Sequence, residues 1–356
     1  MIKSGGILLA ALLAVSTGLA GTANATSNPT PTPHRSAQIA PTKSPTLTTT
    51  TNVTCTTGKV TIDRTSSCGS GGLIVDFYIE PEHQYQGSAE FAWTSHVKLN
   101  PRNRYKYTDD VTLRLISSSV PEADLGEATV TETCGACTTT GGGTQITTPG
   151  TTRTWHLALN SPGRKVTTDR QAPHLTYTAA PYSPVDTDLG PKLRVRCDNT
   201  KYMGPSRTGG CVYPQVTPTY TISTTGPYNQ VAWHIEWAQR NLQRHWGWRG
   251  HGPSLTRTMN QTLIGNNRDT ACPKSMPRPA GKSCDEYPFA STYQGASKNA
   301  DFSCHMVPER QNSNEGRARQ TWYNSVRLFD GDNFWVDVTL PPANSPAAMG
   351  PLVQCP

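Results

Sequence analysis

The chain has 356 residues, of which 35% are hydrophobic and 16% charged, with a formal charge of +7. That apolar share can fill a core, and the scarcity of charge excludes a coiled coil or charge-driven disorder over the whole length. At roughly 150 residues per domain, the length predicts two domains.

Lys3 precedes an apolar run from Ile7 to Leu19, and Ala23-Asn24-Ala25 offers small residues at a cleavage position. Residues 1–25 therefore read as a secretory signal peptide. The apolar run is shorter than the roughly 20 residues needed to span a bilayer. With no later run of span length, the expectation is a secreted, extracellular protein without stable membrane association. All ten cysteines follow this segment, and an even count in a secreted chain predicts a disulfide framework. Cys134-Gly135-Ala136-Cys137 has redox or half-zinc spacing, but it stands alone between Thr-rich and Gly-rich stretches.

Residues 26–52 are rich in Thr, Pro, Ser and Ala with no acidic residue, which predicts a disordered linker. Across residues 53–191, short alternating runs recur, such as Val111-Thr112-Leu113-Arg114-Leu115 and Trp155-His156-Leu157-Ala158-Leu159. Gly, Pro, Asn and Ser clusters separate them. Period-two runs between turn residues predict an antiparallel, sandwich-like β-domain. Its histidines (His83, His96, His156 and His174) are scattered and form no catalytic constellation.

The texture changes over residues 193–356. Val231, Ile235, Ala238 and Leu242 recur at helical spacing, and a second helix is predicted from near Asn314 through Trp322. Residues 326–329 and 334–338 flank Asp330-Gly331-Asp332-Asn333, a hairpin signal. The fold class is thus α+β. Charge partitions too: residues 53–192 carry a net of −2 and residues 193–356 a net of +6, with arginine outnumbering lysine. A basic half of this kind suits a polyanionic partner.

The densest polar cluster is Ser283-Cys284-Asp285-Glu286-Tyr287-Pro288, followed some twenty residues later by Cys304-His305 and by Glu309 to Glu315. Adjacent Asp285 and Glu286 on a strand point to opposite faces, so they cannot form one facing pair. That also argues against glycan hydrolysis by two carboxylates, which must flank a cleft several ångströms wide. Strands over 285–291 and 302–307 and a helix over 314–323 give the order β–β–α. A hard cation accepts a carboxylate with Asn or Glu from such a helix. The alternative is that Asn312, Ser313 and Asn314 are turn and cap residues. His234, beside core-facing Ile235, reads as structural.

Cys284-Asp285-Glu286-Tyr287-Pro288-Phe289-Ala290 resembles the D-E-[WY]-P core of the NucA/NucB deoxyribonucleases, secreted nucleases of Gram-positive bacteria. His234-Ile235, the segment Asn312 to Gly316, and Arg327-Leu328-Phe329 with Phe334-Trp335-Val336 are similar to flanking features of that family. The resemblance covers residues 193–345. It implies a ββα-metal-like nuclease domain over 193–356, acting as a monomer on DNA with little sequence preference and using a divalent cation, Mg²⁺ or Mn²⁺. Asp285 stands where related sites place a general-base histidine, with Glu286 beside it as the second catalytic candidate. The metal would be held from among Asn312, Asn314, Glu315, Asn324 and Glu309. His305, Arg310, Arg317, Arg319 and Arg327 are the expected substrate contacts, guanidinium forks being suited to phosphate. The helix lacks a carboxylate where the family pattern would place one, Glu315 being its only acid. A second reading follows: a non-catalytic secreted protein whose degenerate nuclease scaffold retains polyanions.

Overall fold

The computed structural model describes residues 32–40, 42–103, 106–161, 166–199, 209–341 and 353–355. The expected signal segment, 1–25, lies outside the described residues. The chain opens with β1 (His34–Ile39), β2 (Thr46–Thr49), β3 (Lys59–Ile62), β4 (Ser66–Glu80), β5 (Gln84–Lys98) and β6 (Tyr107–Ser118). β7 (Glu127–Thr133), β8 (Thr138–Thr140), β9 (Gly143–Ile146) and β10 (Thr152–Asn160) follow. β11 (Thr167–Thr178), β12 (Val185–Asp188), β13 (Leu193–Asp198) and β14 (Gly210–Val212) complete this half.

One sheet runs β2-β3-β4-β5-β6-β10-β8 with β1 alongside β4, and the other runs β14-β13-β11-β7-β9 with β12 alongside β11. Alternation explains both. Val75 and Phe77 on β4, Phe91 and Trp93 on β5, and Val111, Leu113 and Leu115 on β6 turn inward. They meet Val130 of β7 and Leu175 and Tyr177 of β11 in one core between the sheets, while the intervening residues face outward. Trp93 fits because small residues face it: Gly190 has φ +95°, and a Cβ there would lie 2.9 Å from the indole.

Two expectations change here. Residues 34–39 and 46–49, read as disordered linker, are strands: β1 pairs with β4 and β2 with β3. Ladder bonds are made by the backbone, and Ala37 and Ile39 of β1 add apolar contact with the core. The division near residue 192 also moves. Val195, Cys197, Tyr213 and Val216 belong to the first core, and the second begins at Tyr220.

The C-terminal half contains β15 (Thr219–Ser223), α1 (Asn229–Asn241), β16 (Leu255–Thr256), α2 (Gln261–Ala271) and β17 (Lys282–Tyr287). β18 (Ser303–Pro308), α3 (Glu309–Ser325), β19 (Asn333–Thr339) and β20 (Val353–Gln354) follow. β17 and β18 form an antiparallel pair that runs directly into α3, five residues before the expected helix start. α2 was not anticipated; Asn260 caps it by accepting from the amides of Thr262 and Leu263. The hairpin expected around residues 330–333 is absent among the described residues. Residues 326–329 turn out of α3 instead, and β19 pairs with β15 in parallel and with β16 antiparallel.

A buried charge cluster joins the halves. Arg64, between β3 and β4, donates to the carbonyls of Val326 and Arg327, each at 3.0 Å, and to Asp332 at 2.9 Å. Arg196 of β13 donates to both Asp332 oxygens at 2.8 Å. Arg327 reaches the other way, pairing with buried Asp198 of β13. Burial draws Arg64 down to about 10, against the opposing pull of Asp332. Removing one partner of such a cluster strands the others without water. Asp332→Ala is expected to lower stability by about 3–5 kcal/mol and to separate unfolding of the two halves. Denaturant titration followed by far-UV dichroism and tryptophan fluorescence checks this; an unchanged midpoint would contradict it.

Candidate active site

β17 and β18 carry the site on one face. Their register places Asp285 opposite His305, Tyr287 opposite Ser303, and Ser283 opposite Val307. Facing residues of an antiparallel pair share a side, so these six project together. Cys284 and Glu286 lie on the reverse face with Cys304. There, the Cys272–Cys284 and Cys304–Cys355 disulfides fasten the pair to the end of α2 and to the C-terminal segment.

α1 crosses the site face. Val231, His234, Ile235 and Ala238 fall three or four positions apart and are all buried, so the histidine shares the helix's apolar stripe. His234 Nδ1 lies 2.6 Å from Asp285 Oδ2, and its Nε2 lies 2.8 Å from Ser303 Oγ. With the Ser303 hydroxyl donating to Nε2, the ring proton sits on Nδ1 and is donated to the aspartate. Burial lowers the His234 pKa to about 3, so the ring is neutral at working pH.

α3 presents Asn312, Glu315 and Arg319 along one side at spacings of three and four. Asn312 Nδ2 donates to Ser283 Oγ at 3.0 Å and to the Cys284 carbonyl at 2.9 Å, which pins the helix start to β17. Glu315 is fully buried and takes a two-pronged bond from Arg319, at 2.9 and 3.1 Å. Arg319 also stacks over Phe289 at 3.7 Å and donates to Ser291.

Asp285 is 5% exposed. Burial first, and then the nearby Glu315 carboxylate, push its pKa well above the usual aspartate range, with Arg319 opposing. Glu286 on the reverse face rises to about 7, again from burial first and then from the Asp285 charge. His305 is 1% exposed, tilted against His234 and Trp237, and neither ring nitrogen has a hydrogen-bond partner.

The structure therefore gathers Asp285, His305, Asn312, Glu315 and Arg319, and adds His234. The other expected metal ligands lie elsewhere. Glu309 is exposed at the start of α3, Asn314 bonds Arg317, and Asn324 accepts from Gln320 at 3.0 Å near the helix end. Among the expected phosphate contacts, Arg310 and Arg317 are exposed on α3. Arg327 is not at the site at all, because Asp198 of the β-half neutralises it. Arg319 is likewise committed to Glu315 rather than to an external anion, and His305 is enclosed by aromatic rings. His234 is the residue that sequence reasoning set aside as structural. Its signal was its position, three residues after Val231 and four before Ala238, on the stripe that α1 buries against the strands.

The model of the family Deoxyribonuclease NucA/NucB matches residues 248–337. The resemblance read from the sequence thus holds for this segment, which covers less than half of the chain. It spans Asp285, His305, Asn312, Glu315 and Arg319, while α1 and His234 lie before it. No curated protein and no solved structure matches the chain.

Burial makes His234 and His305 poor proton acceptors in the native state, with His305 lowered to about 4 by burial and then by His234. An unfolded histidine titrates near 6.5. Between those values the unfolded chain binds more protons, so stability declines as pH falls from about 6.5 toward 4. His305→Phe keeps the ring packing and removes one titration. Its melting temperature is expected to fall less steeply over this range than that of the wild type; parallel slopes would contradict the assignment.

Proposed function

We propose that the C-terminal half is a divalent-metal-dependent endonuclease that hydrolyses DNA phosphodiesters with little sequence preference, as part of a secreted monomer. The match over residues 248–337 supports a nuclease, and five disulfides that together use all ten cysteines suit an oxidising, extracellular setting. Among the described residues no helix is long and apolar enough to cross a membrane. The strand–strand–helix order of β17, β18 and α3 supports a ββα-metal-like arrangement.

The observation that carries the reading is Asp285: a desolvated carboxylate, oriented by a neutral histidine and faced by a helix with an amide and a second carboxylate. An ordinary aspartate, with a pKa near 3.9, is a weak base at neutral pH. Burial raises this one toward the range in which a carboxylate removes a proton efficiently. Asp285 accepts the proton of the attacking water as the water oxygen bonds to phosphorus. His234 holds the carboxylate through Oδ2 and leaves Oδ1, which receives no hydrogen bond from the described residues, for the water.

The donor set fits a hard cation such as Mg²⁺ or Mn²⁺. Asn312 commits its amide nitrogen to β17 and leaves its carbonyl oxygen, and Glu315 lies near enough to raise Asp285. Orphaned ring nitrogens on His305 mark the same interior as short of a partner. Asn312 and Glu315 would hold the ion, with Arg319 yielding part of its bond to Glu315. When bound, the ion supplies Lewis-acid charge for the phosphate and the water. Exposed Arg310 and Arg317 would bind flanking phosphates. Glu286 faces the reverse side and tunes Asp285 through charge.

One observation favours the non-catalytic reading: Arg319 already occupies both oxygens of Glu315. Plasmid nicking separates the two. The wild type is expected to relax and then linearise supercoiled DNA with Mg²⁺ or Mn²⁺ and not with chelator. Asp285→Ala should lose about 10²–10⁴-fold in rate while still retaining DNA. Retention without cutting at any metal concentration would establish the binding-only alternative.

A further inference from the structure

Inside the β-half, two carboxylates from opposite sheets face each other across the core. Asp109 of β6 is fully buried and Glu132 of β7 is 9% exposed. The charged groups that act on them are also acidic, Asp110 on Asp109 and Asp188 on Glu132. Ser95 donates to Asp109, yet neither oxygen of Glu132 receives a hydrogen bond from a donor. Gln171 of β11, 2% exposed, has an equally orphaned amide nitrogen. Between them lies a cavity of about 20 Å³, whose lining includes Glu132, Gln171, Ser67, Ser95, Tyr213 and Trp93.

Carboxylates withdrawn from water need a compensating positive charge. A proton shared by Asp109 and Glu132 satisfies one oxygen of each. It leaves the second Glu132 oxygen and the Gln171 amide unpaired. Turning the Gln171 amide over resolves both orphans, since its oxygen and nitrogen are interchangeable in shape. Its nitrogen then donates to the Tyr107 hydroxyl, now 3.0 Å from the amide oxygen, and its oxygen enters the cavity. Carboxylate, amide and hydroxyl oxygens from both sheets then surround a space that fits one water-sized sphere. That is an all-oxygen cage for a dehydrated hard cation. Mg²⁺, which keeps several waters, does not fit so small a space, whereas Ca²⁺ accepts six to eight protein oxygens in flexible geometry.

We propose that this cavity is a calcium site, held by Asp109, Glu132 and Gln171, that fastens the two sheets of the β-half together.

Terbium tests it on the full chain after chelator dialysis, because Trp93 and Tyr213 line the cavity and can sensitise the bound ion. Emission is expected from the wild type and from Glu315→Gln, competed by Ca²⁺ and not by Mg²⁺, and reduced at least tenfold in Glu132→Gln. Ca²⁺ should also raise the wild-type melting temperature at pH 8. Emission that persists undiminished in Glu132→Gln would overturn the site. So would a melting temperature that ignores Ca²⁺ and falls as pH rises, the signature of a shared proton. If Glu132→Gln does not fold, Gln171→Leu and the wild-type calcium shift decide the question.

Discussion

Burying a carboxylate is costly unless hydrogen bonds or positive charge compensate for the lost water, and Asp285 is buried with little of either. It receives one strong bond, from His234, while the nearest guanidinium is engaged by Glu315. The surroundings are built to keep it there. α1 lays His234 across the strand face, Ser303 fixes the ring from its other nitrogen, and Asn312 ties the start of α3 to the same strand. Two disulfides brace the hairpin from behind. A carboxylate held against its own solvation is expected where a proton must be taken up near neutral pH, and such perturbed groups concentrate at functional sites.

The β-half is more than a tethered neighbour. Arg64 and Arg196 reach into the turn after α3, and Arg327 of that turn reaches back to Asp198. These contacts are buried, so they fix orientation rather than merely tether the two halves. α3 bears Asn312 and Glu315, and the turn that ends it is gripped by the sandwich. Loosening the sandwich would therefore disturb the site through the helix end, although no residue of β1 to β14 touches Asp285.

Much of this was legible in the sequence, and the gaps have physical causes. Period-two runs gave the strands of the first half because their inner residues enter one core. The D-E-Y-P segment and the helical spacing around Val231 located the strand and helix that meet at the site. β1 and β2 were missed because backbone pairing needs no apolar alternation and their composition resembles a linker. β13 and β14 were assigned to the wrong half because Cys197 and Tyr213 enter a core that is distant in sequence. Arg319 and Arg327 looked like phosphate ligands because sequence shows charge and not its partner. His234 was hidden by chemistry: a histidine on an apolar stripe gives no sign of whether it meets a carboxylate until the facing strand is in place.

The central claim is that Asp285 acts as a base whose proton affinity the fold has raised. The pH dependence of single-turnover DNA cleavage, at saturating metal, tests this most directly. The account predicts an acidic limb well above the ordinary aspartate value of about 3.9, displaced in His234→Asn and lost with activity in Asp285→Asn. An acidic limb near that ordinary value, unmoved by His234→Asn, would contradict it.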